Sequence, residues 1–324
     1  MTAAERRLRL GRQHRLAAET RAEDAVEVAA SLVALHATAP ASVYLSALAR
    51  MRVPSIEAVE AALYDRRELV RMLGMRRTMF VVPRALAPVV QAAATDDVAA
   101  TLRRGYEKLF ARVGVHADVP HWLREVGDSV VAILAARPEA TATELARAEP
   151  RLRTRITMNE GKNYGANVTV TSMVLNLVAA DGQIVRGRPL GSWTSSQYRW
   201  AAWQTWLPGA GRRWSAADAR VELATRWLRA FGPGTEADLR WWTGWTARDA
   251  RPALAATTAV EVDLDGVPGW LLAEDLDAPA QAAPWVALLP ELDPTAMGWT
   301  GRDWYLGGHR AALFDRSGNI RPTV

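Results

Sequence analysis

The sequence predicts a mainly helical α+β protein made of three tandem winged-helix modules, each a set of helices closed by a β-hairpin. Three observations predict it. Apolar residues at helical spacing give way three times to short β-prone runs around a turn, near Gly74, near Pro189-Leu190-Gly191 and at Asp265-Gly266. Thr141 with Glu144, Thr235 with Asp238 and Thr246 with Asp249 have the three-residue spacing that starts a helix. Long linkers and low-complexity runs are missing from the 324 residues, so the modules fall at 1–118, 119–214 and 215–324.

In the first module, residues 23–51 read EDAVEVAASLVALHATAPASVYLSALARM. Ala25, Val28, Leu32 and Leu35 lie on one helical stripe, with Thr20 and Glu23 as a capping box. Pro40 cannot donate an internal helix hydrogen bond and pushes Ala39 towards extended geometry. The first helix is therefore expected to end near His36 and the second to begin around Pro40. His36 and Thr38 are left at a helix end, two positions apart. An extended link would put them on one face, whereas a helical link would separate them. This junction is the candidate active site. A third helix opens at Pro54-Ser55, and residues 69–72 and 77–82 form the hairpin.

The second module starts with a helix over 121–136 and a short one ending at Pro150. A polar stretch, RLRTRITMNEGKNYG, precedes a helix through Val170, Val174, Leu177 and Val178, and residues 183–199 form a hairpin with its tip near Pro189-Leu190-Gly191. The third module runs from Ser215 through a helix to Phe231, a Gly232-Pro233-Gly234 break, two further helices and a hairpin at 260–264 and 270–273. An apolar strand is expected at 285–289. The N-terminal segment carries Arg6, Arg7, Arg9, Arg12 and Arg15, which suits a disordered tail, a helix packed on the body or a phosphate-gripping arm.

Composition narrows the function. No cysteine is present, which excludes disulfides, thiolate metal sites and cysteine nucleophiles. No apolar run is long enough to span a bilayer and the N-terminus is too Arg-rich for a secretory signal, so a cytoplasmic, nucleoid-associated protein is expected. The net charge is +5, and Lys108 and Lys162 are the only lysines, so the basic character is arginine's. Arginine suits bidentate contact with phosphate, although a GC-rich genome also enriches it. Arg66, Arg67, Arg71, Arg76 and Arg77 gather in the first module. Arg147, Arg151, Arg153, Arg155, Lys162, Arg186, Arg188 and Arg199 gather in the second, whereas the third hairpin is acidic through Glu261, Asp263, Asp265 and Glu274. A nucleic-acid backbone would therefore be met by the first two modules. Trp193, Tyr198 and Trp200 flank Arg199 and offer either packing or a stacking surface. His116 and His121 bracket Asp118, but Pro120 interrupts a shared helix face, so neither a metal nor a cofactor is expected. Gly209-Ala210-Gly211 lacks the further residues of a dinucleotide or phosphate loop and reads as a turn.

The order "apolar helix, LVALHATAP, apolar helix, hairpin" resembles the AlkZ/YcaQ-type winged-helix DNA glycosylases. So do RRTMFVVP at 76–83, DGQIVRGRPLGSW at 181–193, FGPGTEADLRWWTGW at 231–245 and GNIRPTV at 318–324. The resemblance covers nearly the whole chain. It implies three winged helices lining a concave DNA channel, and excision of bulky or crosslinking N7-alkylguanine adducts in repair or antibiotic self-resistance. That family carries Gln-apolar-Gln or Gln-apolar-Asp at the junction, where His36 and Thr38 stand here. By this carry-over His36 accepts a proton from water and the Thr38 hydroxyl holds that water. Arg76, Arg77, Arg153, Arg155, Lys162, Arg186, Arg188, Trp193, Tyr198 and Arg199 are the expected DNA contacts. The expected partner is double-stranded DNA carrying an alkylated purine, bound by a monomer away from any membrane. The alternative is a winged-helix DNA-binding protein without catalysis, acting as regulator or lesion-binding shield.

Overall fold

A computed structural model of the chain describes residues 1–158, 166–209, 214–277, 284–315 and 320. Lys162, the Gly209-Ala210-Gly211 turn beyond its first glycine, and the closing Arg321-Pro322-Thr323-Val324 lie outside the described residues.

The first helix, α1 (Ala3–Gln13), is capped by Thr2 with Glu5 in a capping box. Of the three readings of the arginine-rich segment, the packed helix is the one found. Arg9 is buried and donates to the Asp277 carbonyl, while Arg6 lies 4.1 Å over the Trp304 ring. The chain then runs through α2 (Ala25–Ser31), β1 (Leu35–His36), α3 (Pro40–Leu48) and α4 (Ile56–Glu60), the last extended by a π turn over Ala61–Asp65. The hairpin is β2 (Leu69–Leu73) and β3 (Met79–Pro83), joined by a tight turn at Met75–Arg77. Two expectations fail here. The start of α2 belongs to Asp24, whose side chain accepts from the Glu27 amide, because Thr20 instead donates to the Ala17 carbonyl in a short turn. The helix also stops at Ser31 rather than near His36, and Leu35–His36 pairs antiparallel with β3, giving the sheet order β1-β3-β2.

A short α5 (Ala87–Val90) and the long α6 (Asp96–Arg112) follow. The same grammar then recurs in α7 (Val119–Ala135), β4 (Ala140–Thr141), α8 (Ala142–Ala148), a ribbon β5 (Arg155–Met158) with β6 (Ala166–Thr169), and α9 (Thr171–Ala180). The hairpin β7 (Ile184–Pro189) and β8 (Tyr198–Ala202) closes it in the order β4-β8-β7. After α10 (Trp203–Trp206) come α11 (Ala216–Phe231), α12 (Glu236–Thr243), α13 (Ala247–Ala255), β9 (Ala259–Leu264) and β10 (Val267–Leu272). Here a single bridge, Gly234 to Trp270, takes the place of the short third strand. So a short segment after the first helix pairs with the second hairpin strand three times over, which is the winged-helix order. The tail holds α14 (Asp303–Leu306) and α15 (Arg310–Leu313). The expected strand at 285–289 is not formed. The segment finds no ladder partner, and Val286 and Leu288 stand 89% and 87% exposed.

Contacts divide the chain into two compact units, one made of residues 1–94 and 211–324 and the other of residues 95–210. In the first, α1 and α11 pack together and α12 packs on the Met75–Arg77 turn. Its interior contains a fully buried ion pair: Arg50 donates from Nη1 and Nη2 to Asp293 at 2.9 and 2.7 Å. Ser46 and Thr295 join that pair, and His14 bridges Thr295 to the Ala230 carbonyl. In the second unit α9 packs against α6 and α7. Among the described residues no helix is long and apolar enough to cross a membrane.

Candidate active site

The junction after α2 is held in an uncommon backbone shape. Val33 is fully buried with φ of 64°, a left-handed conformation that costs a β-branched residue on the order of 1–3 kcal/mol. Leu32 and Leu35, both fully buried, fix the chain on either side of it. This reversal ends the helix and turns Leu35 and His36 into a strand opposite Val81 and Phe80.

His36 is 6% exposed and meets the Phe80 ring edge-on at 5.2 Å. Its Nδ1 is buried without a hydrogen-bond partner. Burial, and then the neighbouring charge of Arg76, push the imidazole down to about 4, so the ring is neutral at pH 7. A neutral ring with a free nitrogen can accept a proton, with a basicity close to that of a carboxylate. The next residue, Ala37, is held through both of its backbone polar groups. The Ala37 amide donates to the Met79 carbonyl at 2.8 Å, and buried Arg71 donates to the Ala37 carbonyl at 3.0 Å.

Thr38 differs from its counterparts in the other repeats. Thr141 and Thr235 each follow the short strand position and cap the next helix in a full capping box. In the first repeat α3 begins at Pro40, its cap is Ala39, and no side chain caps it. Thr38 is thereby displaced from the cap. It is exposed and makes no hydrogen bond among the described residues. His36 and Thr38 thus bracket one clamped residue, Ala37, with His36 buried and Thr38 open to solvent.

The hairpin turn beside them is strained as well. Arg76 and Arg77 both have left-handed φ, 52° and 59°. Arg77 is exposed, while Arg76 is half-buried with its guanidinium 4.0 Å over the Trp241 ring. Arg302 lies on the same ring at 4.7 Å. Sequence reasoning missed Arg302 and the positioning role of Arg71. Arg71 left a signal, since a lone charge in the apolar run LVRML needs a partner once that strand is covered.

The remaining expected contacts lie in the other compact unit. Arg153 and Arg155 are exposed, Arg155 within β5. Arg186, Arg188, Trp193, Tyr198 and Arg199 are half-buried in or beside the hairpin β7–β8, and Trp200 is core. Arg186 donates to Asn176 at 3.0 Å and lies over Tyr198 and Trp200. With Thr141, Asn176, Gln197 and Tyr198 it lines a polar cavity of about 340 Å³. No group of three or more His, Asp or Glu among the described residues is placed to hold a metal.

Residues 29–324, which include the whole junction and all three hairpins, match the family described as DNA glycosylase AlkZ-like. The chain belongs to the AlkZ-like DNA glycosylase family. It therefore falls in a class of hydrolases that cleave N-glycosyl bonds in DNA. Among solved structures, the Streptomyces sahachiroi DNA glycosylase AlkZ superposes with a TM-score of 0.74 at 19% identity, over 98% of this chain and 84% of that one. At that identity the likeness establishes the fold. No curated protein matches the chain.

Proposed function

We propose that this AlkZ-like chain is a monofunctional glycosylase that hydrolyses the N-glycosidic bond of bulky N7-alkylguanine and leaves an abasic site. The observation that carries the reading is the pairing of a neutral His36, whose Nδ1 has no partner among the described residues, with a Thr38 displaced from helix capping. An N7-alkylguanine is already cationic, so its departure needs no acid. As the C1′–N9 bond breaks, its electron pair returns to the purine and neutralises it. Water held by the Thr38 hydroxyl adds to C1′ and gives its proton to the neutral His36 ring. A base of this weakness suits a reaction in which the sugar has become strongly electrophilic before water attacks.

In this reading the protein acts as a monomer associated with the nucleoid, through three winged-helix modules at 1–118, 119–214 and 215–324. Arg77, Arg153, Arg155, Lys162, Arg186, Arg188 and Arg199 meet phosphates, and Trp193 and Tyr198 supply apolar surface near the bases. The test is direct: the purified protein is incubated with duplex carrying one N7-alkylguanine, and abasic sites are scored by alkaline strand cleavage. Strand cleavage without alkali would remove the monofunctional assignment. A second reading, DNA binding without excision, draws on His36 and Thr38 standing where the family carries glutamine with glutamine or aspartate. Tight binding to the same duplex with no base release would favour it.

A further inference from the structure

We propose that Arg76 and Arg302, stacked on Trp241, form a clamp for one backbone phosphodiester of the bound strand beside the His36 junction. The proposal rests on the reading that the chain acts on DNA, and adds which charge-bearing group is held there and by what.

The geometry is that of a cation site lacking its anion. The Arg76 and Arg302 guanidiniums lie 4.0 and 4.7 Å from the centre of the same indole, and Arg302 also lies 4.0 Å over Phe314. Arg302 is 3% exposed; its Nε donates to the Trp299 carbonyl at 2.8 Å and the Tyr305 hydroxyl lies beside its guanidinium, but among the described residues its buried Nη2 has no acceptor. Arg76 Nε is also buried with no acceptor. The nearby carboxylate of Asp238 is occupied, accepting from the backbone of Thr235, Thr300 and Gly301 and from the Thr235 hydroxyl. Fully buried Arg50 and half-buried Arg220 each have a carboxylate, Asp293 and Asp249, whereas buried Arg9 donates only to a main-chain carbonyl among the described residues.

Each part of this arrangement is costly. Two like charges share one ring, and burial with the Arg302 charge holds Arg76 down at about 10. A buried donor without acceptor costs the protein its desolvation. The turn that delivers Arg76 has two consecutive left-handed arginines, and it approaches α12 where Gly244 leaves room. A Cβ at Gly244 would sit 3.3 Å from Arg76 Cγ. An anion with two adjacent acceptor oxygens at Arg76 offsets the like-charge repulsion and gives that guanidinium acceptors, and a guanidinium fork matches that shape. In a DNA complex the phosphodiester is that anion. A cationic alkylpurine would be repelled from the same place. Arg76, the more open of the two, touches the phosphate; Arg302 lies behind and adds its field.

The experiment uses duplexes carrying a tetrahydrofuran abasic analogue and, one at a time, a neutral methylphosphonate at each linkage around it. In the wild type one linkage next to the analogue should cost roughly ten- to a hundredfold in affinity, the range for a charge-assisted contact. In Arg76→Gln that same linkage should cost less than twofold while the others keep their wild-type effects. Arg76→Lys, which keeps the charge without the fork, should retain part of the dependence. It also covers the case in which the glutamine variant does not fold. Arg302→Gln should weaken the dependence at that linkage only. Equal methylphosphonate effects in wild type and Arg76→Gln overturn the clamp, as does an Arg302→Gln variant with wild-type dependence, or a wild type that does not bind DNA. Excision by the wild type is scored separately. Excision with no Arg76–phosphate coupling keeps the function and removes the clamp, whereas coupling without excision does the reverse.

Discussion

The Arg71 guanidinium donates to the Ala37 carbonyl at 3.0 Å, and so fixes the peptide that joins Ala37 to Thr38. Arg71 sits in β2, with β3 between it and β1, so the bond reaches past the central strand of the sheet. Arg71→Met keeps the bulk and removes the donor. Single-turnover excision should fall roughly ten- to a hundredfold, because a mispositioned group loses rate steeply. Affinity for the abasic-analogue duplex should change little. An unaltered rate would show that the peptide holds its place without Arg71.

Thr38 and Thr141 should respond oppositely to the same change. Thr38→Val removes a hydroxyl that makes no bond among the described residues, so stability should move by no more than about 0.5 kcal/mol while excision falls. Thr141→Val removes the hydroxyl half of a capping box, which accepts from the Glu144 amide, and should cost about 1 kcal/mol in urea denaturation. If Thr38→Val destabilises as much as Thr141→Val, the residue is a cap and not a free hydroxyl.

The acid behaviour follows from His36. Its folded value, about 4, lies below the unfolded value of about 6.5. Between those limits the unfolded chain binds more protons, so stability falls as pH drops from 6.5 to 4. The loss approaches about 3 kcal/mol at the acid end. His14, held near 3 by burial and then by Arg50, acts in the same direction. Urea melts at pH 7 and 4.5 should therefore converge more closely for His36→Gln than for the wild type. Excision by the wild type should be flat from pH 6 to 8 and fall only in acid. The glutamine variant should lack that fall. Identical pH profiles would remove His36 as proton acceptor.

Arg50 and Asp293 form a pair with both side chains fully buried. Asp293→Asn leaves the guanidinium without its counter-charge, and should cost on the order of 3–5 kcal/mol. Replacing both partners by apolar residues of similar volume should cost much less. Denaturation of the two variants side by side reads this difference.

Much of this was legible in the sequence because it is local. Thr141 with Glu144 and Thr235 with Asp238 cap where their spacing says, whereas Thr246 starts its helix without a side-chain cap bond and donates to Asp249 instead; the hairpins fall near the residues expected. The junction was legible only in part. Leu32 and Leu35 keep helical spacing to the end, and nothing in the chain announces that Val33 takes a left-handed shape forced on it by packing. A two-residue strand such as β1 has no periodicity of its own; its existence depends on Phe80 and Val81, far along the chain. The ribbon β5–β6 was hidden in polar sequence, since both strands are largely exposed. Trp285 to Leu289 erred in the other direction, with strand-like residues that find no ladder. Arg302 was invisible because stacking on Trp241 is a contact between distant segments.

The interrupted unit, residues 1–94 with 211–324, sets an order of events during synthesis. As the chain leaves the ribosome, residues 95–210 hold everything that their own unit requires. The segment bearing His36 does not, because Arg50 waits 243 residues for Asp293, and His14 waits 281 for Thr295. Until then a buried cation and a buried imidazole have no fixed partners, and the α1–α3 region stays open to solvent and to chaperones. A nascent chain halted shortly after residue 210 should therefore protect its later half from protease first. The earliest-made residues, candidate site included, are the last to become native.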